Sequence, residues 1–302
     1  MELWVIITIA AAFFQNIRST LQKYLKGQMS TTGATFVRFG FGVPFALLYF
    51  AVFLSWTGGE VPSVKPGFWI WAAIAAFAQI LATFLLLQTF AYRNFTVGTA
   101  YSRTEPAQTA LFALVLIGEK ISAGGVMAIA VSIAGVMLIS VARIEITVKT
   151  LAVSLASPPA LLGLGSGTLF GLAAVGYREA ALSVEHDLSF MQGAVTLCYA
   201  IILQTFVMLI WLLAKEREQL ANIVKAWRPA LMVGFFGATA SFGWFTAFTL
   251  QYAALVKVVA QVEMLFTFSS SIFFFKEKIN TPEIVGCALI TAGICLLFFV
   301  GQ

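Results

Sequence analysis

Ten stretches of this chain are long and apolar enough to cross a bilayer, and that pattern constrains the fold more than any other feature. A helix spanning the hydrocarbon core needs about 20 predominantly apolar residues. The candidate spans are 2–23, 31–55, 67–90, 95–117 and 120–142 in the first half, then 160–182, 188–214, 229–252, 255–275 and 280–300. The composition agrees: 60% of residues are hydrophobic, 10% are charged and the mean hydropathy is +0.94. Soluble domains carry about 25% charged residues, so a soluble fold is excluded. A membrane β-barrel would need alternating apolar and polar positions. Runs such as Leu81 to Leu87 and Ile294 to Val300 are apolar on every side instead, so the expected fold is an all-α polytopic membrane protein.

Tryptophan placement supports these boundaries, because an indole ring favours the headgroup level. Trp4, Trp56, Trp69, Trp71, Trp211 and Trp227 fall at span ends, and Trp244 lies well inside one. The first span starts with Glu2 rather than basic residues and runs on into Gln15, Asn16 and Arg18, so it reads as a helix and not a signal peptide. The connections are short. The one candidate linker, 143–159, ends in Pro158-Pro159, suits a new helix start and separates residues 1–142 from 160–302, five spans in each.

The two halves look like copies. Glu105 and Glu263 are 158 residues apart, and the same offset places Glu119-Lys120-Ile121 on Glu277-Lys278-Ile279, Ala134-Gly135 on Ala292-Gly293 and Phe84 on Phe242. Two embedded glutamates and a charged triplet in one gapless register point to duplication. With five spans per half, the copies enter the membrane in opposite directions, as an inverted repeat. Such repeats support two conformations of comparable energy that expose a central site to either side in turn. No Walker-type phosphate loop is present, so the driving energy is expected from a gradient or from exchange, with no cofactor. Gly163, Gly167 and Gly171 at four-residue spacing read as a close helix-packing face rather than a dinucleotide loop.

Ten spans in two repeats, a glutamate in the fourth span of each and a small-residue fifth span after Gly118-Glu119-Lys120 and Lys276-Glu277-Lys278 resemble the drug/metabolite transporter superfamily, EamA-like branch. The resemblance covers essentially the whole chain. It implies a secondary transporter of small molecules, working by export, with both termini cytoplasmic. The sequence departs from the family pattern in one place: Pro106 stands in the fourth span of the first repeat, and Met264 takes that place in the second.

Embedded ionisable residues are functional candidates by default. Glu105 falls near the centre of the fourth span, with Tyr101 and Gln108 at i−4 and i+3 sharing its face. It either carries a proton during transport or is a carboxylate permanently paired with an arginine or held by hydroxyls. Glu263, its repeat mate, has Val259 and Phe266 at the equivalent positions. Arg18 and Arg38 should lie at similar depth on one side, each about 7 to 8 Å from mid-span. With Arg103 and Lys257 they give four cations against two glutamates, a balance suited to a carboxylate, the alternative being that these side chains snorkel to the interface. Trp244 is either a stacking wall for a solute or core packing. Gln15, Asn16, Gln79, Thr83, Gln88, Thr246 and Gln261 are polar groups that need partners in the bundle or a wet cavity.

The remaining features constrain function by exclusion. Cys198, Cys287 and Cys295 read as small buried hydrophobes, and His186 has no companion for a metal site. Lys215, Arg217, Lys225 and Arg228 suit anionic headgroups, with no nucleic-acid partner expected. No His cluster or nucleophile motif suggests an enzyme. Eleven basic residues fall in connections 1–2, 3–4, 5–6, 7–8 and 9–10 and four in the others, which favours external termini, against the family resemblance. The reading is thus a carrier of the bacterial inner membrane, monomeric or weakly dimeric. Its solute is a small zwitterionic or anionic metabolite, amino acids first. A cationic drug or polyamine exporter and a lipid-handling scramblase are the alternatives.

Overall fold

The computed structural model describes residues 2–89, 91–92, 101–141, 157–266 and 281–300. Apolar runs become helices because, without water, each backbone N–H and C=O must bond within its own segment. The helices are α1 (Leu3–Leu25), α2 (Thr31–Gly40), α3 (Val43–Trp56), α4 (Gly67–Thr89), α5 (Glu105–Ile117), α6 (Ala123–Val141), α7 (Pro158–Leu182), α8 (Ser189–Lys215), α9 (Gln219–Lys225), α10 (Trp227–Leu250), α11 (Ala253–Val259) and α12 (Thr281–Val300). Six segments are long and apolar enough to cross a membrane: α1, α2 with α3, α4, α7, α8 and α10. α5, α6 and α12 fall within three of the other expected spans, and α11 overlaps the fourth, starting two residues before it. The starts at Pro158 and at Thr281-Pro282 agree with the sequence reading.

Three expected continuous spans are interrupted. The second breaks at Phe41-Gly42, where Pro44 in the first turn of α3 has no N–H to continue the ladder and Gly42 N–H bonds three residues back to Phe39 O, at 2.9 Å. The fourth breaks at Arg103-Thr104, just before Glu105-Pro106, so Glu105 opens α5 instead of sitting in mid-helix. The ninth breaks at Ala260-Gln261 with no proline nearby. There Gln261 N–H bonds to Val258 O and Glu263 N–H to Ala260 O, at 3.1 and 3.0 Å, a tightened turn of the i−3 kind. α9, in the basic connection, has no counterpart in the sequence reading.

The chain forms two compact units: residues 1–80 with 173–252, and 81–172 with 253–302. Each unit draws on both halves of the chain, so these units are a different partition from the sequence copies. In the first unit, α1 lies along α10, where a Cβ on Gly243 would stand 2.9 Å from that of Ala11. Ser30 caps α2 by accepting from Gly33 N–H, at 3.1 Å. In the second unit, α6 and α12 meet backbone to backbone: a Cβ on Gly135 would fall 2.7 Å from Gly286 O, and one on Gly286 the same distance from Gly135 O. α5 ends at Gly118, whose φ of +69° lets the chain close the helix through Glu119 N–H to Ala113 O.

Candidate functional site

The second unit places all its described embedded charges at two helix interruptions. Arg103, in the turn before α5, donates through Nη1 and Nη2 to the two oxygens of Glu263, at 2.8 and 3.2 Å. Lys257 of α11 pairs with Glu105 at 2.7 Å. Each sequence copy therefore supplies the cation for the other's glutamate. Side-chain exposure is 28% for Arg103, 5% for Glu263, 11% for Lys257 and 19% for Glu105, so Glu263 is the most enclosed. Gln261, which stands where the first copy has Arg103, donates to the Arg103 carbonyl at 3.3 Å. The two turns are thus joined by side chains of both copies.

These contacts correct several expectations. Lys257 does not snorkel; it is drawn to a carboxylate whose burial demands a counter-charge. Glu105 is paired with a lysine, where the sequence reading offered an arginine or hydroxyls, and Glu263 is paired with Arg103. Tyr101 precedes the turn at Arg103-Thr104 and Glu105 follows it, and the Tyr101 ring packs with Ala160, Met137 and Leu164. Gln108 donates to Thr104 Oγ1 at 2.8 Å. Thr83 is buried in this unit. The glycine face of α7 does pack closely: a Cβ on Gly167 would lie 2.9 Å from Ser102 O, and one on Gly171 3.0 Å from Thr109 N.

The expected pool of four cations and two glutamates is divided between the units, and within the second unit two cations balance two carboxylates. Arg18 and Arg38 belong to the first unit, where both are 4% exposed. α1 brings one and α2 the other, tied by Gln22 Nε2 donating to Ala34 O at 2.9 Å. Their stems converge on Gly237 of α10, whose missing Cβ would be 3.3 Å from Arg38 Cγ and 3.5 Å from Arg18 Cδ.

Beside the arginines lies a buried polar cluster that the sequence reading largely missed. Arg38 lies within electrostatic range of Arg18 and of the Tyr177 phenol. Tyr177 donates to Gln79 Oε1 at 3.1 Å, and Gln204 Nε2 donates to Gln79 Oε1, Tyr177 Oη and Ala76 O at 2.8, 3.0 and 3.2 Å. Only Gln79 was a candidate from sequence. Gln204, polar in the middle of a long apolar run, was the available signal for the rest. Trp244 donates to Gln15 Oε1 at 3.0 Å and stacks on Phe248, so its indole is held in the packing of α1 and α10. Among the cysteines, Cys198 donates to Ala46 O, and Cys295 is exposed rather than buried. His186 Nδ1 accepts from Leu188 N–H.

Long apolar helices, several of them interrupted beside embedded charges, define a multi-pass membrane protein. A model of the EamA-like transporter family matches residues 2–141 and again 157–299. The chain belongs to the EamA-like transporter family, within the drug/metabolite transporter superfamily, and is a membrane transporter of small molecules. It is similar to a solved structure described only as a crystal structure of a protein, with a TM-score of 0.73, covering 100% of this chain and 97% of the other at 14% identity. At that identity the likeness speaks for the fold. No curated protein matches the chain.

Proposed function

We propose that this protein is a secondary carrier, not an enzyme, that exports a small anionic or zwitterionic metabolite across the bacterial inner membrane, with amino acids the first class to test. The observation that carries this reading is the convergence of Arg18 and Arg38 on Gly237 within the apolar bundle. Guanidinium groups present planar forks of donors matched to a carboxylate, and two of them gathered around Gly237 favour an anionic group there. Tyr177, Gln79 and Gln204 add neutral donors and acceptors for the rest of the solute. The cationic-solute alternative draws less support, because Glu105 and Glu263 already hold Lys257 and Arg103.

Alternating access follows from the inverted repeat read in the sequence, with the interruptions before Glu105 and Glu263 as natural points of movement. Uptake of a labelled amino-acid pool by the purified protein in liposomes, with and without an imposed pH gradient, tests the reading. Saturable uptake that is lost in Arg38→Gln supports it. Uptake of organic cations that is indifferent to Arg38→Gln, or lipid flipping in place of solute uptake, rejects it.

A further inference from the structure

The first unit is electrically polarised from one end to the other. Ser30 Oγ and Thr32 Oγ1 donate to the Glu216 carboxylate at 2.6 and 2.7 Å, and Gln219 Oε1 accepts from Ser30 N–H at 2.9 Å. These bonds put the α1–α2 turn against the α8–α9 turn, so Lys23, Lys26, Lys215, Arg217, Lys225 and Arg228 gather at one end. The acids there are Glu216, engaged in those bonds, and the exposed Glu218. At the other end, Lys65 N–H bonds to Ser183 O and Glu185 N–H to Ser63 O, joining the α3–α4 and α7–α8 connections. That end carries Glu2, Glu60, Glu179, Glu185 and Asp187 against Lys65 and Arg178.

The basic end also has the apolar surface of an interfacial element. α9 turns Ile223 inward, Val224 and Trp227 are exposed next to Lys225 and Arg228 in the chain, and Trp211 is exposed on α8 four residues before Lys215. Arg228 lies over the Trp227 ring, its Cζ 5.4 Å from the centroid. Indole rings and basic side chains side by side match the headgroup region, where apolar bodies and phosphate-facing cations are both accommodated. Cationic residues near a leaflet bearing anionic lipids are held there by its negative surface potential.

We infer that the basic end of this unit is its cytoplasmic end, seated on anionic lipid headgroups through Lys215, Arg217, Lys225 and Arg228, and that the start of α1 lies on the outer side. The charge distribution of the folded unit thereby opposes the cytoplasmic N-terminus that the family resemblance implies. The inference is independent of which solute is carried.

Single cysteines at Gln28, in the basic end, and Val61, in the acidic end, test it in a chain whose three native cysteines are replaced by alanine; both positions are exposed. A membrane-impermeant thiol reagent applied to intact cells should label Val61→Cys and leave Gln28→Cys unlabelled until the cells are opened. Any other pattern in intact cells overturns the orientation, labelling of both sites included. For the headgroup contact, a polarity-sensitive dye on Gln28→Cys is compared in vesicles of phosphatidylcholine alone and with about a third phosphatidylglycerol. The emission should shift in the anionic vesicles and the shift should vanish at high salt. It should also vanish when Lys215, Arg217, Lys225 and Arg228 are changed to glutamine together. No shift, or a shift that this variant retains, overturns the seating on anionic lipid.

Discussion

Arg103 grips both carboxylate oxygens of Glu263, at 2.8 and 3.2 Å, across the boundary between the two sequence copies. Removing one partner of a buried ion pair is far costlier than replacing both, because the survivor keeps its charge without compensation. Glu263→Gln should therefore lower stability by about 2 to 4 kcal/mol, the lower part of the usual range because Arg103 is partly exposed. Arg103→Met combined with Glu263→Met should recover most of the loss. Thermal unfolding of the purified variants in detergent reads the difference, and equal melting of single and double variants would show that the pair is not coupled.

Lys257 and Glu105, 2.7 Å apart, form the second link of the same kind. Glu105→Lys alone places three cations against one carboxylate in this part of the second unit and should abolish both folded yield and transport. Adding Lys257→Glu restores the charge balance with the partners exchanged. Recovery of folded protein in the double variant is the expected outcome, measured as monodisperse yield by size-exclusion chromatography.

Gly237 is where the two arginine stems of the first unit meet. A methyl group there presses on Arg38 Cγ at 3.3 Å, closer than ordinary contact. Gly237→Ala should raise the KM for an anionic solute several-fold with little change in folded yield. An unchanged KM alongside lost activity of Arg38→Gln would separate the glycine from solute binding.

Tyr177 Oη both donates to Gln79 and accepts from Gln204. Tyr177→Phe removes one of the two donors to the buried Gln79 oxygen, a loss of about 1 to 3 kcal/mol. The melting temperature should fall accordingly. Gln79→Leu in the same background should add less than it does alone, since the two changes remove one shared contact.

Gly135 and Gly286 hold α6 and α12 at backbone distance. Gly135→Ala sets a Cβ 2.7 Å from Gly286 O and 2.8 Å from Ile290 N, where only the backbones can yield. It should cost more than about 2 kcal/mol, beyond the usual overpacking of a side chain against a side chain. Gly67→Ala, with its nearest neighbour at 3.9 Å, is the control expected to change melting little.

Much of the architecture was legible in the sequence because membrane insertion is decided locally. Twenty apolar residues satisfy their own hydrogen bonds wherever they sit, so the spans carrying α1, α4, α7, α8 and α10 could be drawn from hydropathy alone. The interruption before Glu105 also had a local sign in Pro106, and that before α3 had one in Pro44. The break at Ala260-Gln261 had none. Its turn is stabilised by i−3 bonds and accompanied by the long-range contact of Gln261 with the Arg103 carbonyl.

Composition and periodicity by themselves determined that this chain lives in a membrane, that its halves are copies and that its embedded charges are few enough to name. Only the tertiary structure decided how those charges are spent. Glu105 chose Lys257 six residues before its repeat mate, Glu263 chose Arg103 from the other copy, and Arg18 with Arg38 came together around a glycine about 200 residues further along. An ion pair depends on atoms brought within a few ångströms by packing, and no local window of sequence carries that distance.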